Sequence, residues 1–455
     1  MPYGGYQGVI GGSRGPAQAG RPETAFGVAV LTETELSVPA AGANRGKARP
    51  RLFIADPGLA GLGGHHLAYS SAVAAAALKR GLEAVVLTSR NFGGTLGDPH
   101  IILRPVFNAR YQTSGGGGTA RAAIFGVASY LPAPMAELVA PPLRTLRRRL
   151  RGGKADEMAD ELDAALAEFE PNPRDQVLLH SVSGANLGSL LHGADFGGAR
   201  LLIVLRRMPE EMETDDPAPE SLVRLFDRIR RRFASRLGLF ADTEELAAQY
   251  SALLRQPVRP VPVPVIVPPM PTHPLSPLPH VVFAGGARLE KGYHHLPPAI
   301  GATMGRACFT VHSGRVDATA DPLVQRAHRE LRALAGERLR LIEQPLDPAE
   351  YAALLASADL LLLPYDSLSY SARSSGIVAE AFALGVPAVV PGGCWMERVA
   401  GTDRAVIIGA DGVVAALEAA LDRLPELRAA ARAAAPGWRE WHNPDALLAA
   451  LLAAG

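Results

Sequence analysis

ADLLLLPYDSLSYSARSSGIVAEAFALGVPAVV, residues 358–390, is the stretch from which the fold can be read. DLLLL (359–363) is a short, uniformly apolar run that ends at Pro364, which reads as a strand buried on both faces, as in parallel sheets. A polar loop follows, and a helix begins near Ser374 or Ser375. Either serine suits the N-cap, because its hydroxyl can accept a bond from a backbone N–H of the first turn. Within that helix SGIVAEAFALG is apolar apart from Glu380. A carboxylate among apolar residues is costly without hydrogen-bond donors, and the helix offers Glu380 no obvious polar neighbour. Two readings stand. A ribose diol supplies two donors while the helix start faces a diphosphate, or a neighbouring backbone group or arginine satisfies the carboxylate.

Outward from this stretch, short apolar runs alternate with helical stretches, the pattern of parallel βαβ units, and the expected class is α/β. In the first half the strands read as RLFIA (51–55), AVVLT (84–88), VLLHS (177–181), LLIVLR (201–206) and GLFA (238–241). In the second they read as HVVFAG (280–285), CFTVH (308–312), LRLIE (339–343), DLLLL (359–363) and PAVVP (387–391). Residues 257–279 between them are dense in proline, which excludes a central strand or a sustained helix, so this stretch reads as an inter-domain linker. Residues 1–49 carry seven glycines in the first 20 positions and no hydrophobic period, and read as a tail. The expectation is two doubly wound domains, 50–256 and 280–455, facing a cleft lined by the loops at the carboxyl ends of their strands.

Two of those loops carry chemistry. HVVFAGGARLEKGYHHL (280–296) runs from a strand into Gly285, Gly286, Arg288, Lys291 and Gly292. Two cations beside a glycine-rich turn suit a diphosphate, with arginine as a planar fork and lysine as a point charge, although solvated loop charges would look the same. In the first half DPGLAGLGGHHLAYSS (56–71) places Gly61, Gly63 and Gly64 ahead of a helix. Backbone without Cβ atoms can approach a phosphate or a sugar, but such glycines are more often only a tight turn, and His65 and His66 read equally as a helix start.

The G-x-G-G loop, the strand-to-K-G turn, and the D-x-x-L-x-P loop followed by E-A-x-A-x-G-x-P-x-V recur in an order that resembles retaining GT-B glycosyltransferases of family 4 over residues 51–455. The resemblance implies transfer of a hexosyl unit from a nucleoside diphosphate sugar to a hydroxyl of a glycan, a lipid-linked saccharide or a small molecule, as in polysaccharide biosynthesis. It further implies that Lys291 contacts the donor diphosphate and Glu380 the ribose. Gly63 and Gly64 would lie on the phosphate or acceptor side, and His180 near the acceptor and the anomeric centre. Gly286, Arg288, Arg373, Ser374, Ser375 and Gly376 complete the donor set, and His65, His66 and Arg206 the acceptor side. The last helix, around Pro444 to Leu452, is expected on the first domain. The family commonly has a second glutamate eight residues before this one, where the chain has Ala372; Tyr370, Arg373 and Ser374 are the nearest substitutes. It also has an arginine five residues before the lysine, where the chain has Gly286, so Arg288 would act from a shifted position.

Composition narrows the alternatives. Lys plus Arg number 46 against 45 for Asp plus Glu, so net charge gives no reason to expect nucleic acid. Cys308 and Cys394 lack metal-ligand spacing and read as reduced thiols of a cytoplasmic protein. No Asp-x-Asp cluster appears in the second half's cleft segments, and the expectation is neither metal nor cofactor. Charged residues interrupt every apolar stretch before it reaches membrane-spanning length. The arginine-rich segments 143–154 and 221–237 have an apolar stripe. They suit either a solvated outer face or peripheral attachment to an anionic membrane at its inner face. Rival functions on the same scaffold are a sugar-nucleotide epimerase, a phosphorylase and a catalytically silent nucleotide- or glycan-binding protein.

Overall fold

The computed structural model describes residues 49–61, 65–108, 155–190, 196–212, 221–267 and 278–453. The expected tail, Gly63 and Gly64, segment 143–154 and part of the proline-rich stretch lie outside the described residues, as does the side chain of His65. Arg49–Gly455 form one compact unit.

Two parallel sheets organise it. The first holds β1 (Arg51–Asp56), β2 (Glu83–Ser89), β3 (Ile102–Phe107), β4 (Gln176–Leu179), β5 (Arg200–Leu205), β6 (Leu237–Ala241) and β7 (Arg259–Pro260), in the order β3-β2-β1-β4-β5-β6-β7. The second holds β8 (His280–Phe283), β9 (Cys308–His312), β10 (Leu339–Ile342), β11 (Leu360–Leu362), β12 (Ala388–Pro391) and β13 (Ala405–Ile408), in the order β10-β9-β8-β11-β12-β13. The order reverses between β1 and β4 in one sheet and between β8 and β11 in the other. Such switch points open a crevice at the strands' carboxyl ends. The four strands concerned feed the segments around Asp56, His180, Lys291 and Tyr370.

Strand alternation sends Phe53 and Ala55 to one face of the first sheet and Leu52 and Ile54 to the other. On the first face, Leu222, Phe226, Ile229 and Phe233 of helix Ser221–Phe233 join the core, so that helix's apolar stripe is used within the protein and Arg224, Arg228 and Arg231 are turned outward. On the second face, helix Pro444–Leu452 buries Leu447, Leu448 and Leu451 completely against the sheet and helix His65–Lys79. The proline-rich stretch begins with strand β7 and continues through Val263 and Val265, which pack on Ala379 and Ala383 of helix Gly376–Leu384. Strands β3, β7 and β13 are absent from the sequence reading. All three lie at sheet edges, where Pro105 in β3 and Pro260 in β7 are tolerated because one side of the strand needs no ladder.

His442 ties the chain's last crossing to this stretch. The Val263 backbone N–H donates to its Nδ1 at 3.2 Å, which requires the neutral Nε2–H tautomer. Burial pushes its pKa down to about 4. The unfolded chain therefore binds the extra proton between pH 6.5 and 4, and the stabilisation present above pH 6.5 is lost as pH falls through that window. Urea unfolding at pH 7 and pH 4.5 should show the native chain losing on the order of 2 kcal/mol more than a His442→Gln variant; equal losses would contradict this assignment. Leu448→Ala should cost about 2–5 kcal/mol, as deletion of a fully buried side chain does. A shift of the unfolding midpoint worth less than about 0.5 kcal/mol, the range of a surface substitution, would show that the last helix is not part of the first sheet's core.

Candidate functional site

The turn after β8 is shaped by its glycines. Gly292 has φ +66, and a Cβ there would lie 1.7 Å from the Pro364 carbonyl oxygen, so only glycine lets this turn close on the end of β11. The Asp366 N–H donates to the Glu290 carbonyl at 3.0 Å and adds to the closure. Lys291 is thereby buried, with Nζ 4.0 Å from the centre of the Tyr365 ring and 4.8 Å from that of Tyr370. Among the described residues no carboxylate pairs with it. Burial, then the like charges of Arg288 and Arg373, hold its pKa well below the usual lysine range. Arg288 is exposed and pairs with Glu290 at 3.3 Å. Tyr365 Oη, also buried, has no hydrogen-bond partner among the described residues. Ring faces attract a cation but cannot replace its hydration, and this ammonium sits ready for an anion.

The loop after β11 leads to helix Gly376–Leu384, whose N-cap is Ser375: its hydroxyl accepts from the Val378 N–H. Ser374 faces elsewhere. A Cβ on Gly376 would meet nothing within 4 Å, so the helix start opens on free space. Glu380, one turn on, is half-buried, and burial pushes its carboxyl up to about 7. The expectation that it lacks a polar neighbour is corrected: the Tyr351 hydroxyl, from helix Pro348–Ala356, donates to Oε2 at 3.2 Å. That tyrosine comes from a separate helix, 29 residues earlier, beyond the reach of local pattern.

On the first half, the Asp56 carboxylate at the end of β1 gathers His66 Nδ1 at 2.7 Å, Ser70 Oγ at 2.9 Å and His180 Nε2 at 3.2 Å. Burial pushes Asp56 up, but His180 and then His66 outweigh it and leave the pKa well below the usual carboxylate range. His180 follows β4, is fully buried, and stacks on Tyr69 at 4.2 Å between ring centres. The Arg206 guanidinium lies 5.0 Å over the other partner of that stack, Tyr69, and its Nε donates to Asp242 Oδ2 at 3.0 Å. His66 and Arg206 therefore belong to one network, with His180 at its interior end.

Across the cleft the two halves meet at residues 371–374. Arg373 pairs with Glu211 at 2.9 Å, Ser374 Oγ donates to Asp242 Oδ2 at 2.6 Å, and the Thr243 hydroxyl donates to the Ala372 carbonyl at 2.7 Å. Ala372 itself is buried in the first half's core. The structure thus brings Lys291, Arg288, Arg373, the Ser375 helix start and Glu380 onto one side of the cleft. It engages Arg373 and Ser374 with the opposite side. Glu211 and Asp242 gave no local signal, because their role depends on the second half folding against them.

Solved structures align along most of the chain at low identity. Sucrose-phosphate synthase from Thermosynechococcus elongatus is 14% identical with a TM-score of 0.55, covering 89% of this chain and 98% of that one. A glycosyltransferase from Rickettsia africae ESF-5 is 12% identical, TM-score 0.58, with 89% and 98% covered. Anabaena HepE in complex with UDP is 13% identical, TM-score 0.58, with 89% and 100% covered. No protein-family model matches the sequence, and no curated protein matches it. What such distant similarity establishes is architecture: two doubly wound parallel sheets facing a central cleft, the GT-B fold.

Proposed function

We propose that this protein is a glycosyltransferase that moves a hexosyl unit from a nucleoside diphosphate sugar to a hydroxyl of a saccharide, a lipid-linked saccharide or a small molecule, with retention of configuration. The observation that carries the proposal is the buried Lys291 ammonium without a counter-carboxylate among the described residues, flanked by Arg288 and Arg373, on the side of the cleft that also holds the open start of the Glu380 helix. A diphosphate meets each of these demands at once. The structures of Anabaena HepE hold UDP, and UDP with glucose, in this architecture.

As the bond from the anomeric carbon to the diphosphate breaks, negative charge grows on the leaving oxygens. Lys291, Arg288, Arg373 and the N–H groups after Ser375 stabilise it without a metal or an organic cofactor. Gly286, with φ +73 and no neighbour nearer than 3.9 Å to an added Cβ, leaves backbone free beside the donor. Glu380 accepts from the ribose hydroxyls; overall, the bond from the anomeric carbon to the leaving oxygen is replaced by one to the acceptor oxygen, on the side of His66 and Arg206, and the acceptor's proton leaves with the released diphosphate. In this reading His180 positions the acceptor face through Asp56 and Tyr69 and does not touch the sugar. The protein acts in the cytoplasm, and the outward arginines of helix Ser221–Phe233 suit a lipid-linked acceptor at an anionic surface. No helix among the described residues is long and apolar enough to cross a membrane. A silent donor-binding protein is the second reading, favoured by Ala372 in the core and by the engagement of Arg373 and Ser374; absence of donor hydrolysis together with tight nucleotide binding would select it.

Lys291→Ala should weaken nucleoside diphosphate binding by about 1.5–3 kcal/mol, the value of a charge-assisted contact, while the protein stays folded. Undiminished affinity in calorimetry for every nucleoside diphosphate would contradict the assignment. Glu380 gives a pH test. Its raised pKa means that its share of stability is present below pH 4.5 and lost as pH rises through about 7, the charged form being the one that ribose hydroxyls favour. Nucleotide affinity should therefore rise from pH 6 to pH 8 in the native protein. Glu380→Gln should flatten that rise and narrow the preference for ribose over 2′-deoxyribose forms; an unchanged profile and preference would remove Glu380 from the site.

A further inference from the structure

Glu380 is held by a residue from outside its own helix. Helix Pro348–Ala356 lies against helix Gly376–Leu384, and its start is firmly set. Pro348 stands in the first turn, the Glu350 N–H donates to Asp347 Oδ1 at 2.8 Å, and the Asp347 N–H donates back to Glu350 Oε2 at 2.9 Å. Tyr351 is the next residue. Its backbone N–H bonds the Asp347 carbonyl at 2.9 Å, so the capped turn directs its side chain to the neighbouring helix, where the hydroxyl donates to Glu380 Oε2 at 3.2 Å.

The second carboxylate oxygen is left open. Among the described residues Glu380 Oε1 has no partner, and it is not sealed from solvent. The groups that face this carboxylate are the hydroxyl of Tyr351 and, from the loop after β11, that of Tyr365. Helix Leu424–Trp441, packed against the same helix, brings Arg432 to Gly385 and Arg439 to the Ala383 carbonyl, and Arg404 lies over the Phe382 ring; none of these cations offsets the carboxylate. Burial therefore pushes the Glu380 carboxyl up, and the Tyr351 bond is what opposes it. Burial, then the charge of Glu380, holds Tyr351 well above the usual tyrosine range, so it keeps its proton and remains a donor at any working pH.

We propose that Tyr351 is a positioning residue for the nucleotide, whose hydroxyl fixes one oxygen of Glu380 so that the other, as an anion, is presented to the ribose. The role rests on the donor reading of Glu380. A hydrogen bond to the charged form of a carboxyl favours that form, and an ionised acceptor binds hydroxyls more strongly than a neutral one. Phenylalanine at position 351 keeps the ring and its packing but removes the donor. The carboxyl then faces burial alone and takes up a proton near neutral pH.

Carbon-13 NMR of the full-length protein labelled at the glutamate δ-carbon tests the contact first, without nucleotide. The signal that Glu380→Gln removes should titrate at about pH 7 in the native chain and about one pH unit higher or more in Tyr351→Phe, a tenfold change in proton affinity. An unmoved midpoint would overturn the inference and leave the donor reading intact. Affinity for UDP, GDP and ADP is then measured by calorimetry at pH 7 and pH 9. For whichever binds, Tyr351→Phe should be about fivefold weaker than the native protein at pH 7, where the raised midpoint leaves mostly the neutral form, and nearly equal at pH 9. In the Glu380→Gln background the same substitution should show no such pH dependence. A deficit of the same size at both pH values would mean that the tyrosine only packs, and would overturn the role. If the native protein binds none of the three while the carboxyl midpoint still moves, the donor reading is what has failed, and the role in nucleotide binding falls with it.

Discussion

An ammonium taken out of water loses several kcal/mol of hydration, and only an anion or a set of acceptors restores it. Lys291 has two tyrosine faces in their place, with two arginines close enough to depress its pKa further. The surroundings are built to keep it there. Gly292 permits the close approach to Pro364, the Asp366 N–H fastens the turn to the β11 loop, and Tyr365 and Tyr370 form the box. This arrangement gains nothing for the empty protein, and its value lies in the charge that it can receive.

The same loop that supplies Tyr370 also joins the two halves. Within four residues it places an alanine in the first half's core, an arginine on Glu211 and a serine on Asp242. Arg398, on helix Trp395–Ala400, pairs with Glu245 and donates to the Ser371 carbonyl at 2.7 Å, so the second half is fixed to the first on both sides of that loop. The family's second glutamate would stand at Ala372, where the side chain faces hydrophobic core. A carboxylate there would be buried without a partner. Under the proposed function the sugar is read by other groups, and the nearest carboxylates, Glu211 and Asp242, stand on the opposite wall of the cleft, paired with Arg373 and Ser374.

Much of this was legible in the sequence, and particular residues show why. Ten strands announced themselves by apolar runs, since central parallel strands are buried on both faces and need no alternation. Edge strands β3, β7 and β13 did not, being short or interrupted by proline. The Lys291 turn and the Glu380 helix could be found because glycine, capping and isolated charge are local signals. Tyr351, Glu211 and Asp242 could not, because each acts on a residue 29 or more positions away. His180 shows the limit of resemblance: the position is occupied as the family leads one to expect, yet its ring is fully buried between Asp56, Ser70 and Tyr69.

Calorimetric titration of a nucleoside diphosphate at pH values from 7 to 10, repeated at each pH in buffers of different ionisation enthalpy, tests the central claim most directly. An anion placed on Lys291 raises its depressed pKa, so binding draws protons from the buffer in the interval between the free and the bound value. Glu380, with a pKa near 7, is already ionised in the upper part of that range and adds little there. Net proton uptake in the native protein, absent in Lys291→Ala, is the expected result. Binding of equal strength with no proton uptake at any pH would show that the diphosphate does not rest on the buried lysine.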